Sequence, residues 1–183
     1  MKLLAAAGIS LSLVATAAAA DPVQWTLNNV AFDDGGAASG SFVYDADSNT
    51  YSQVNIVSTA GSTLPGATYI APLSSVPSNS QSLFAMTAGG AVAGEYILGL
   101  FTTTARTNAG GTLTINPGNA ESRCGNTPCT TTPPPIRAIA GGTMTGTAVV
   151  AAVPTMTEWA TILFGLILAG GAALCIQRRR QIF

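Results

Sequence analysis

The sequence predicts an all-β fold: a β-sandwich or jelly-roll-like body flanked by an N-terminal signal peptide and a single C-terminal transmembrane helix. Three observations predict it. The long uninterrupted apolar runs of the 183-residue chain sit at its two ends. Between them, apolar residues alternate with polar ones at period two, the spacing of a strand with one buried face. Gly, Asn, Asp and Pro punctuate that alternation at short intervals, and no 3.6-residue period is sustained long enough for a substantial helix.

The first element is residues 1–20. Met1-Lys2 is a short positive start, Leu3 to Val14 is an apolar core, and Ala18-x-Ala20 before Asp21 is a small-x-small cleavage site. That tripartite order is a secretory signal peptide, and its core is short for a membrane span of about 20 residues. It implies the Sec export machinery and signal peptidase as partners.

The body, residues 21–150, follows as a series of strands. Gln24 to Phe32 alternates so as to bury Trp25, Leu27, Val30 and Phe32, with a change of parity at Asn28-Asn29 that predicts a bulge. Asp33-Asp34-Gly35-Gly36 is a turn, and Gly40 to Tyr44 places Phe42 and Tyr44 on one face. Asp45 to Thr50 turns into Tyr51–Val57. Later candidates are Ser82–Thr87, Glu95–Thr102, Gly111–Ile115 and Arg137–Val150, the last broken at Gly141-Gly142. Seven to nine such strands in one chain of this length suit a sandwich.

Residues 151–183 form the last segment. Residues 160–176 carry no charge, Trp159 precedes them, and Arg178, Arg179 and Arg180 follow. Seventeen residues is the lower limit for a helix crossing a hydrocarbon core of about 30 Å. A tryptophan at one interface and arginines at the other orient the span with the body outside the cytoplasmic membrane.

Composition narrows the function. There is no histidine, which removes Ser-His-Asp and Cys-His catalysis and His-liganded metals. Between Asp21 and Val153 the bases are Arg106, Arg123 and Arg137, against seven acids, a net charge of −4 without any lysine. An acidic body offers no phosphate-binding surface, so nucleic acid is not an expected partner. Of the 133 residues in that span 31 are Ser or Thr, so strand exteriors are hydroxyl-rich rather than charged. Glu95 and Glu121 stand apart in sequence and no serine has a histidine base; no catalytic residue and no cofactor is expected.

Asp45-x-Asp47-x-Asn49 resembles the opening of a calcium loop. Thr50 stands where an EF-hand needs Gly, and Ile56 where it needs a bidentate carboxylate, so the simpler reading is a hairpin turn. Asp33, Asp34, Asp45, Asp47 and Asn49 remain as weak calcium candidates. Cys124 and Cys129, five residues apart in an exported body, are expected to form a disulfide; structural zinc would need a second ligand pair. Thr130–Pro135, Thr-Thr-Thr-Pro-Pro-Pro, is a stiff extended loop.

Directly before the span stands Val153-Pro154-Thr155-Met156-Thr157-Glu158-Trp159-Ala160. Pro154 keeps the preceding backbone extended, as a processing enzyme requires. With the span and the arginines this motif resembles a PEP-CTERM-type sorting signal in its IPTL-CTERM variant, Ile-Pro-Thr-Leu-x-x-Trp-Gly followed by a span and basic residues. Pro154, Thr155 and Trp159 match; Val153 and Met156 are conservative departures, and Ala160 replaces Gly. The body is similar to exported proteins of that family in Trp25–Val30, Phe32–Phe42, Tyr44–Tyr51 and the cysteine pair. The resemblance implies a Gram-negative bacterium that makes exopolysaccharide. It implies processing by an exosortase, a membrane cysteine transpeptidase-like enzyme, after a transient inner-membrane stage, and delivery to the cell surface or biofilm matrix. The sequence expectation is therefore an exported non-enzymatic surface or matrix protein with exosortase and exopolysaccharide as partners. Two alternatives stay open: a carbohydrate- or calcium-binding surface module, and a permanently anchored type I membrane protein.

Overall fold

The structure, a computed structural model, describes residues 21–149, 161–168 and 170. The signal-peptide region, the motif Val153–Trp159 and the basic tail Arg178–Arg180 lie outside the described residues.

The chain divides into two units, up to Ala148 and from Val149 onward. The first is all-β. Its strands are β1 (Val23–Phe32), β2 (Ala37–Asp45), β3 (Thr50–Ser58), β4 (Thr68–Tyr69), β5 (Ala71–Pro72), β6 (Ser82–Met86), β7 (Tyr96–Phe101), β8 (Gly111–Thr114), β9 (Gly118–Arg123) and β10 (Ile136–Ala148). They pair antiparallel along one path, β4-β3-β2-β1-β10-β9-β7-β6-β5, with β8 also on β10.

The two ends of this path are consecutive pieces of one stretch. Thr68-Tyr69 pairs with Val57 and Ile56 of β3, and Ala71-Pro72 pairs with Met86 and Ala85 of β6. Between them the Ile70 amide donates to the Met86 carbonyl at 3.0 Å. A strand that changes partner at Ile70 thus nearly closes the sheet. β8 and β9 likewise form one interrupted strand. Both pair with β10, at 143–146 and 136–139, and Pro117, which cannot donate to a ladder, falls between them.

If each interrupted strand counts once, the arrangement is an eight-stranded up-and-down barrel, the size that side chains just fill. The all-β expectation holds. In place of the two sheets of a sandwich or the long crossings of a jelly roll there is one nearly closed antiparallel sheet. Strands consecutive in sequence are neighbours in the sheet, and the β1–β10 pairing joins the ends of the meander.

The alternation in the sequence maps onto the interior. Trp25, Leu27, Val30, Phe32, Phe42, Tyr44, Ile56, Tyr69, Leu83, Leu98, Leu100, Ile115, Ile139 and Met144 are buried together. The parity change falls where expected, with a register shift between Thr26 and Val30 and Asn29 at φ 51°. Gly146 faces Trp25 across the ladder, and a Cβ there would lie 2.9 Å from the indole. Gly141-Gly142 does not break β10; it forms a bulge against Ala31. The outer face of β1–β3 carries mainly amides and hydroxyls, Gln24, Thr26, Ser39, Ser52, Gln53 and Asn55, with Ala31, Ala37 and Val57 exposed among them.

In the second unit residues 161–168 are helical, and every one is exposed. Ile162, Leu163, Phe164, Leu166, Ile167 and Leu168 present apolar side chains around the whole circumference. Among the described residues no helix is long and apolar enough to cross a membrane; most of the remainder of 160–176 lies outside them.

Candidate functional site

Three places in the body concentrate polar or accessible chemistry. The first lies inside the barrel at the end formed by the β1–β2 turn, the β3–β4 loop and the β9–β10 loop. In register across the sheet, Leu98 sits beside Glu121, and Glu121 beside Arg137. Strand geometry puts all three on the inner face. Arg137 and Glu121 are both 0% exposed. Arg137 donates to Glu121 Oε2 from Nε (3.1 Å) and Nη2 (2.8 Å), and from Nη1 to the Thr59 carbonyl (2.9 Å) and Asp34 (3.4 Å). The guanidinium stacks 4.0 Å from the Phe32 ring centroid. Ser58 donates to the other Glu121 oxygen at 3.1 Å.

Asp34 anchors the adjoining loop, accepting the amides of Gly36, Thr63 and Leu64. Burial pushes its carboxyl up. Those three amides and the Arg137 charge together outweigh burial and hold its pKa below the ordinary 3.8. Tyr69 lies beside Glu121 and Ser58 without a well-formed hydrogen bond. Burial first, then the Glu121 charge, raises its phenol far above 10.

The second place is at the opposite end, where the β7–β8 loop folds Arg106 into the barrel at 1% exposure. Its guanidinium donates to Tyr51 Oη (2.9 Å) and to the carbonyls of Ser80 and Leu100 (both 3.2 Å), and its Nε to the Met144 sulfur. It lies 5.5 Å from the Phe42 ring and 5.8 Å from that of Tyr51. Among the described residues no carboxylate lies within ion-pair distance of it. Burial pulls its pKa down from the ordinary guanidinium value, and Tyr51 and Tyr44 oppose the fall. Tyr51 in turn donates to the Asn79 carbonyl at 2.6 Å, and burial pushes its phenol up to about 12.

The third place is on the outer face of β6, β7 and β9. Here Leu73, Ile97, Cys124 and Cys129 form a small second core, with Val76, Phe84, Met86 and Ala91 against it. Beside it opens a cleft of about 150 Å³ lined by Phe84, Ile97, Gly99, Phe101, Ser122, Thr132 and Ile136, together with Ala120 and Glu121.

The cysteine pair is joined as expected, with Cα atoms 4.8 Å apart. It staples a loop in which Asn126 accepts the amides of Thr130 and Thr131. Replacing both cysteines by serine closes no loop in the unfolded chain and is expected to cost about 2 kcal/mol, read as a lowered denaturant midpoint.

The acidic candidates are not brought together. Asp33 and Asp34 occupy one end of β2, and Asp45, Asp47 and Asn49 the other. Asp33 accepts the Ala138 amide at 2.9 Å. Asp45 accepts the Asp47 amide and the Ser48 hydroxyl and meets Asn108; Asn49 accepts from Tyr44. The bonds within 44–49 are those of a hairpin turn, while those to Ala138 and Asn108 tie each turn to a distant segment. Among the described residues no group of three or more acidic, Cys or His side chains could hold a metal ion.

Sequence reasoning missed the roles of Glu121, Arg137 and Arg106. Arg137 carried a signal, since it shares the alternation of Ile139 inside a strand. No protein-family model matches the chain, and no curated protein or solved structure matches it.

Proposed function

We propose that the chain is an exported, non-enzymatic surface or extracellular-matrix protein of a Gram-negative bacterium, and the substrate of an exosortase-type sorting enzyme. On this reading residues 1–20 are removed on export, and residues 160–176 hold the protein briefly in the inner membrane. The enzyme then cuts within or near Val153–Trp159. Exopolysaccharide is its surrounding matrix.

One observation carries the reading: a Pro-Thr-x-x-x-Trp motif, an uncharged stretch and three arginines in that order. The helix at 161–168 supports it. A helix apolar on every side has no face suited to water, and a membrane is the solvent that removes the conflict. The non-enzymatic part is supported by how the body uses its buried acids: Glu121 and Asp34 are tied to Arg137, Ser58 and backbone amides.

The same helix would equally serve a permanent type I anchor. Intact mass of the protein, from cells with and without the sorting enzyme, separates the two. Cleavage predicts a mature species beginning near Asp21 and ending between Val153 and Trp159, lost when the enzyme is deleted. A C-terminus at Phe183 in both strains, with the body in the inner-membrane fraction, would establish the permanent anchor instead.

A further inference from the structure

We infer that the outer cleft over β6, β7 and β9 is a binding site for one neutral pyranose unit of a glycan. Its size sets the scale. An apolar cavity of about 150 Å³ accommodates a single six-membered ring, and this cleft is open on one side, so a ring seated in it can belong to a longer chain.

Its lining sets the chemistry. Phe84 and Phe101 meet edge to face at 5.4 Å and 82°. They flank Gly99, which pairs directly with Phe84 and bears no side chain to fill the space. Ile97, Ser122 and Ile136 lie side by side across three strands, because Ser122 is in register with both isoleucines. The surface is therefore two phenyl rings and two aliphatic side chains around one hydroxyl.

That hydroxyl points to the ligand. Ser122 is 4% exposed, yet among the described residues its Oγ has no hydrogen-bond partner, and it is not among the side-chain oxygens shut off from solvent. Thr132, on the rim, is likewise unpartnered. A ring without hydroxyls would dry the Ser122 oxygen and leave it unsatisfied, which costs binding energy. A pyranose offers a C–H face to the phenyl rings and a hydroxyl edge to Ser122 and Thr132.

The occupant is neutral because, among the described residues, no charged group faces it. The Glu121 carboxylate, though its residue is in the cleft wall, turns inward to Arg137 and Ser58. The Cys124–Cys129 staple fixes the loop that brings Thr132 to the rim. The inference does not depend on whether the C-terminal segment is cut.

The test is a titration of the full chain, in a detergent without a sugar headgroup. The probes are the methyl pyranosides of glucose, galactose and mannose and β-1,4-glucotetraose, followed by the NMR signals of the Phe84 and Phe101 rings. The expected result is saturable shifts for at least one sugar with Kd on the order of 1 mM. Ser122→Ala removes no internal hydrogen bond and so keeps the fold; it should weaken that binding about fivefold. Gly99→Ala, whose Cβ would lie 3.0 Å from the Phe101 ring, should weaken it as well. No shift with any of the four sugars overturns the inference. So does an equal response to cyclohexane that Ser122→Ala leaves unchanged, which would mark the cleft as a groove for apolar side chains.

Discussion

Glu121→Ala is expected to destabilise the body by about 3–5 kcal/mol. The carboxylate is fully buried and accepts two guanidinium bonds from Arg137 and one from Ser58. Removing it leaves the Arg137 charge inside the barrel with the Thr59 carbonyl, the Phe32 ring and, as its remaining ion pair among the described residues, the longer 3.4 Å contact to Asp34. The penalty is mostly that of the abandoned cation, not the worth of the pair. Glu121→Leu combined with Arg137→Met removes both charges and should recover much of the loss, since a buried ion pair and a well-packed apolar pair of similar volume are often close in energy. Denaturant unfolding of the two variants and the parent decides it. A double variant no more stable than Glu121→Ala would mean that the network holds the loop ends in place and does more than neutralise itself.

Alkali should unfold the protein through its buried phenols. Tyr51 titrates near 12 in the folded chain against 10 unfolded. A group whose folded pKa is raised contributes stability that is intact below pH 10 and lost as pH rises toward 12. For Tyr51 that loss is about 3 kcal/mol. Tyr44 and Tyr69, also raised by burial, act in the same direction. Unfolding free energies measured at pH 9 and pH 11.5 should differ sharply. Tyr51→Phe, which has no proton to lose at that position, should narrow the difference by the Tyr51 share. Equal differences in parent and variant would show that Tyr51 is not what alkali attacks.

The strands were legible wherever the inward positions were apolar. Trp25, Leu27, Val30 and Phe32 define β1, and Phe42 and Tyr44 define β2, because every second residue is greasy. β9 escaped for the opposite reason. Its inward residue at the network is Glu121, Pro117 precedes it, and Arg123 ends it, so Gly118–Arg123 reads as a polar loop. β4 and β5 escaped because two residues carry no period. Closure was invisible as well: nothing local in Thr68–Pro72 says that it serves two strands, since that is a property of β3 and β6.

The cleft was equally hidden. Phe84, Gly99, Ser122 and Thr132 lie in four segments and acquire a shared meaning only through register. The cysteine pair was legible, because five residues of separation need no fold to bring them together.

The pairing of β1 with β10 also sets an order of events in time. Val23 is bonded beside Ala148, so the first strand to be made waits for the last before either has its final partner. Every other seam joins near neighbours and can zip as the chain arrives. This one is a long-range contact of the kind that slows folding. Until β10 is delivered, the edge of β1 away from β2 is bare, its amides unpaired, and that is when a chain of this design is most open to aggregation or to a chaperone.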